Sequence, residues 1–175
     1  MQFRLATFIS AVALAAPALA QGLPYEGYAN TVSCSGAAFG CRDGGAVCCA
    51  LPTGYGYSAQ FNGLPVATQG QGYTGNTCGT LLFAVFGPGT KCWSGGGSRA
   101  THINWFHSPQ ARRVIQAREA EATAANCTAP AYFKYENASG IEKRIKVPAD
   151  EGAAQTIADL YIAGDLTALA AYEDY

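Results

Sequence analysis

"CSGAAFGCRDGGAVCC", residues 34–49, packs four cysteines into sixteen positions, with two equal gaps of six and a doublet at the end. With Cys78 and Cys92 the pattern becomes C-x6-C-x6-CC-x28-C-x13-C, and Cys127 remains as an odd thiol. Cys48 and Cys49 are poorly placed to pair with each other, because consecutive Cα atoms stand about 3.8 Å apart and ordinary disulfides need more. Six cysteines still admit fifteen connectivities. A zinc centre favours Cys and His ligands at short, repeated spacings, whereas His102 and His107 lie far along the chain from the cysteine cluster. The cysteines Cys34, Cys41, Cys48, Cys49, Cys78 and Cys92 are therefore expected in structural disulfides, with no metal and no cofactor.

The amino terminus agrees with an oxidising destination. Arg4, the apolar run "LATFISAVALAAPAL" and "ALA" at 18–20 read as a secretory leader cleaved after Ala20. That run is too short for a membrane span, and "LLFAVF" at 81–86 is only strand-sized. A secreted, extracellular protein without a transmembrane segment is expected.

The net charge of −1 hides two compositions. Between 21 and 108 the charged residues are only Glu26, Arg42, Asp43, Lys91 and Arg99, while seven Lys/Arg and ten Asp/Glu lie beyond 108. The reading is a leader (1–20), a cysteine- and glycine-rich β module (21–108) and a charged α+β part (109–175). So neutral a surface argues against nucleic acid as a partner.

Within the β module, "TGYGYSAQF" reads as a strand with Tyr55, Tyr57, Ala59 and Phe61 on one face. "NG" after it signals a hairpin, but "LPVATQGQG" is too rich in glycine to pair cleanly. "CGTLLFAVF" and "RATHINWF" read as further strands, the latter with Ile103 and Trp105 opposite His102 and Asn104. Two histidines invite a ribonuclease-like reading with Glu26 or Asp43 as the carboxylate. Five positions apart in one strand, however, they point to opposite faces. No nucleophile motif accompanies them, so a non-catalytic protein is expected.

In the charged part, "SPQARRVIQAREAEATAA" predicts a helix to about residue 125. It also carries a dibasic pair ending at Arg113, of the kind cut by kexin-like proteases, which would make the remainder a pro-segment. "AYFKYENASGIEKRIKV" reads as a hairpin, and "PADEGAAQTIADLYIAG" as a helix closed by Gly164, with Asp165 capping a last one. Asn126 and Asn137 are glycosylation acceptors. Cys127 has three open fates: it displaces a partner among the other six, dimerises the protein or stays free.

The order C, C, CC, C, C resembles that of inhibitor-knot miniproteins, with longer final gaps. The resemblance implies Cys34–Cys49, Cys41–Cys78 and Cys48–Cys92. "CCALPTGYGY" faintly resembles hevein-type chitin-binding modules, which would give Tyr55 and Tyr57 sugar-stacking roles. Leader, size, cysteines and the dibasic pairs at 112–113 and 143–144 together resemble fungal small secreted cysteine-rich proteins. That resemblance implies an effector or toxin that binds a host or competitor protein, with a cell-wall chitin or glucan binder as the alternative. The expected contacts are exposed aromatics and a histidine: Tyr55, Tyr57, Trp93, Trp105 and His102. The expected fold is α+β, a disulfide-stapled antiparallel module followed by a helix–hairpin–helix part.

Overall fold

The computed structural model describes residues 22–107 and 127–175. The leader with its Ala20 site, the helix expected over 109–125, Arg113 and Asn126 lie outside the described residues. Ten strands run β1 (Leu23–Tyr28), β2 (Ala38–Asp43), β3 (Cys49–Ala50), β4 (Ser58–Leu64), β5 (Thr68–Thr74), β6 (Thr80–Phe86), β7 (Gly89–Ser94), β8 (His102–His107), β9 (Tyr132–Glu136) and β10 (Glu142–Lys146). Two short helices follow, α1 (Ala153–Ile162) and α2 (Leu166–Leu169). The strands form two antiparallel sheets, ordered β10-β9-β2-β1-β4-β7 and β3-β8-β5-β6.

The expected fold class needs correction. The protein is mostly β, and no helix–hairpin–helix part exists among the described residues. The hairpin β9–β10 forms as read, but β9 inserts beside β2, pairing Phe39 with Phe133 and Ala38 with Lys134. Both of its faces have a use. Phe133 and Tyr135 join the core, while Tyr132 and Lys134 reach a buried carboxylate on the other side. The sheet thus runs across the change of composition near residue 108.

One face of the larger sheet carries the core, in two halves. Leu23, Tyr25, Ala59 and Phe61 pack against Phe83, Ile103 and Trp105 of the smaller sheet. Phe39, Phe133 and Ile145 pack against Ile157 and Leu169 of the helices, with Tyr55 between. Leu51 touches both halves. It fits because Gly27 has no side chain: a Cβ there would stand 2.4 Å from the Leu51 Cδ1.

Two strand readings also change. Tyr55 and Tyr57 precede β4 in a turn shaped by Gly54 (φ 95°) and Gly56 (φ 81°), conformations that glycine adopts without steric cost. The glycine-rich "TQGQGYT" is a central strand, paired to β6 and β8. Its glycines help the packing, because Gly70 and Gly72 leave room for the rings of Phe61 and Phe83.

The six cysteines pair as Cys34–Cys92, Cys41–Cys49 and Cys48–Cys78, with Cα separations of 6.0, 6.4 and 5.9 Å. All three differ from the knot pairing. Cys41 lies opposite Tyr25 on the core-facing side of β2, and the chain returns through β3 into the second sheet, so the nearest partner is Cys49. This bond ties the sheets together. Among the described residues no helix is long and apolar enough to cross a membrane, and several disulfides are compatible with an extracellular protein.

Candidate functional site

A cleft of about 380 Å³ opens at one end of the packed sheets, where the start of β1, the loop after β2, the end of β4 with the loop that follows it, and the end of β8 meet. Pro24, Pro65 and Trp105 give it an apolar wall; Asn62 and His107 supply polar groups, and Gly44 lies at its edge. This size and mixture are typical of small-molecule and peptide sites. The indole of Trp105 sits 5.0 Å from the His107 imidazole in an edge-to-face arrangement. Behind it, the Trp105 Nε1 donates to Asp43 Oδ1 at 3.1 Å, and the Gly45 amide donates to the same oxygen at 2.8 Å. The other carboxylate oxygen accepts from the Tyr25 hydroxyl. Burial, followed by the charge and hydrogen bond of Asp43, pushes the Tyr25 phenol well above its ordinary range. Asp43 therefore serves as a bracket that orients the cleft wall, with its acceptors occupied by protein donors.

The second polar cluster lies on the opposite side of the larger sheet. Glu26 is only 2% exposed. It accepts from Tyr28 (2.5 Å), Lys134 (2.6 Å) and Tyr132 (2.9 Å), and Lys134 also donates to the Tyr28 hydroxyl. Burial alone would raise the carboxyl, but the hydrogen bonds and charge of Lys134, with the two phenols, bring it below its ordinary value. Tyr132 lies flat over Gly40, where a Cβ would meet its ring at 2.0 Å. The cluster holds a carboxylate ionised and enclosed by donors, which suits a structural ion pair better than a general base. Glu26 is the lone acid in the apolar "LPYEGY", and that was the one sequence signal for it.

The residues expected to make contacts do not converge. Tyr55 (3% exposed), Trp105 (5%) and His102 (7%) are buried, so they are not the exposed set the sequence suggested. Tyr57 and Trp93 are half-buried. Arg99 lies over Tyr57 at 5.0 Å, and Phe83 stacks on Trp93 at 3.9 Å. A groove of about 560 Å³ between Tyr55, Arg99 and α1 has its cation already engaged by the carbonyls of Ala29 and Gly54. Asn137 lies in the β9–β10 turn, where its Oδ1 accepts from the Ser139 and Ile141 amides.

His102 and His107 occupy opposite ends of β8, about 17 Å apart at strand rise. They form no dyad. His102 instead stands beside the cysteines: its ring nitrogen and the sulfurs of Cys48 and Cys127 lie within 4.8 Å of one another. Distance along the sequence had argued against such a grouping, and the β3–β8 pairing of Ala50 with His102 creates it.

A family model described as ARB_05566_N, N-terminal domain, matches residues 26–131. The chain belongs to this family. The matched stretch spans all seven cysteines, the cleft residues of β4 and β8, and Glu26 at its first position; it stops one residue before β9. No curated protein and no solved structure matches the chain.

Proposed function

We propose that this ARB_05566_N-family protein is a secreted, non-catalytic binding protein. Its cleft beside Trp105 and His107 receives a neutral, partly apolar segment of a host or competitor protein. The observation that carries this reading is the cleft itself: an apolar wall braced by Asp43, with Asn62 and His107 as its polar side chains. Further support comes from the acids of the first module, since Glu26 and Asp43 are both engaged by protein donors. The resemblance to small secreted cysteine-rich proteins supplies the class of partner, and three disulfides suit work in a hostile medium.

Gly44 offers a clean test, because a Cβ there meets nothing within 4 Å and its φ is not left-handed. Gly44→Trp is expected to block the cleft and remove binding of labelled protein to target cells at an unchanged melting temperature, and His107→Ala to weaken it. Undiminished binding by Gly44→Trp would sink the proposal. The carbohydrate reading keeps one specific support, the half-buried Tyr57 and Trp93. It requires retention on insoluble chitin or glucan that disappears in Tyr57→Ala and Trp93→Ala.

A further inference from the structure

Cys127 is held against an existing disulfide. The Thr128 amide donates to the Cys48 carbonyl at 2.8 Å and the Ala50 amide to the Thr128 carbonyl at 2.9 Å, which lays 127–128 alongside β3. The Cys127 sulfur consequently lies 2.7 Å from that of Cys48, itself bonded to Cys78. Burial pushes the Cys127 thiol up, offset in part by hydrogen bonding from the Cys78 backbone.

His102 completes the cluster with a defined tautomer. The Thr101 hydroxyl donates its single proton to the Gly75 carbonyl at 2.7 Å, so at 3.0 Å it accepts from the His102 Nδ1. Nε2 then carries the free lone pair, with no hydrogen-bond partner among the described residues, on a side chain that is 7% exposed. Burial pushes this imidazole below its ordinary value and keeps it neutral.

We propose that Cys48, Cys78, Cys127 and His102 form a thiol–disulfide exchange centre in which Cys78 and Cys127 compete for Cys48. The Cys127 thiol gives its proton to the imidazole, and the thiolate attacks the Cys48 sulfur. The Cys48–Cys127 bond forms as Cys48–Cys78 breaks. The electron pair leaves on Cys78, which takes up a proton from solvent as the imidazolium releases one. Nothing is oxidised or reduced overall, so no co-reactant is needed. In a reduced chain Cys48, Cys127 and His102 would also offer three donors to a zinc ion. Two thiolates on one tetrahedral zinc, however, stand about 3.8 Å apart at zinc–sulfur bonds of about 2.3 Å. The 2.7 Å approach of Cys127 to Cys48 suits attack better. The exchange changes what is stapled. Cys48–Cys78 ties β3 to the β5–β6 turn, whereas Cys48–Cys127 ties it to the segment leading into β9. After a cut at Arg113, only the second bond would hold the two pieces together covalently.

The test is rapid maleimide trapping of the full secreted protein at neutral pH, acid quench and non-reduced peptide mapping. Two mutually exclusive products are expected: Cys48–Cys78 with Cys127 alkylated, and Cys48–Cys127 with Cys78 alkylated. Their ratio should hold over a tenfold dilution, while Cys34–Cys92 and Cys41–Cys49 stay constant. Cys127→Ser should show only the first bond and Cys78→Ser only the second. His102→Gln should slow re-equilibration at least tenfold after one isomer is isolated. A single linkage in every wild-type sample, scrambling over all seven cysteines, or one retained equivalent of zinc with Cys48, Cys78 and Cys127 all alkylated after chelation would each overturn the proposal. Wild-type mapping decides the matter even where a variant fails to fold.

Discussion

At the scale of single residues, the Glu26–Lys134 pair is the most consequential contact on the outer side of the larger sheet. Removing one partner of a buried pair leaves the other charge uncompensated, at a cost of about 3 kcal/mol or more. Glu26→Gln is accordingly expected to lower stability by about that amount in urea unfolding, and Glu26→Gln with Lys134→Met to recover part of the loss. A double mutant no better than additive would show that the pair is not coupled. The pair also makes stability depend on acid. Glu26 has its folded-state value depressed below the ordinary 4.5, so the stabilisation is complete above about pH 4.5. It fades as pH falls through the folded value. Wild type should lose stability more steeply than Glu26→Gln below pH 4.5, and parallel profiles would contradict this. The lone acid in β1 was visible in the sequence. Its partner, 108 positions away, was not, because β9 reads as a self-contained hairpin until its pairing with β2 is known.

At the scale of elements, β5 shows how composition misleads. Four residues of the seven are glycine or glutamine, which by propensity argues against a central strand. Tertiary packing reverses that: two rings need the space over Gly70 and Gly72. A Cβ on Gly72 would stand 2.0 Å from the Phe83 ring, so Gly72→Ala should cost about 1–3 kcal/mol by overpacking, read as a fall in melting temperature. An unchanged value would mean that Phe83 swings away freely. The staple Cys34–Cys92, 58 residues apart, anchors the β1–β2 loop to the edge strand β7. Replacing both with serine should remove up to about 4 kcal/mol by the loop-entropy argument, checked by urea unfolding under non-reducing conditions.

At the scale of the whole molecule, the carboxy-terminal part is built into the larger sheet. Phe133 is fully buried, with its ring 4.6 Å from Phe39, and the helices cover half of the core-facing side. A chain ending at Arg113 would expose Phe39 and leave Glu26 without Lys134 and Tyr132. It is expected to lack a cooperative unfolding transition and a dispersed amide spectrum. A well-dispersed spectrum would restore the idea of a free-standing first module.

The sequence by itself determined the local features: cysteines committed to disulfides, the alternation of β8, the β9–β10 hairpin, and the cap of α2 by Asp165, whose side chain accepts from the Ala168 amide. Each depends on neighbours a few positions away, where periodicity and capping chemistry are legible. Only the tertiary structure decided which cysteines meet, that Tyr55, His102 and Trp105 are buried, that His102 stands beside Cys127, and that β9 enters the first sheet. These are pairings across long separations. In one dimension many alternatives share the same pattern, and the choice is made by which faces can be buried and which charges can be matched.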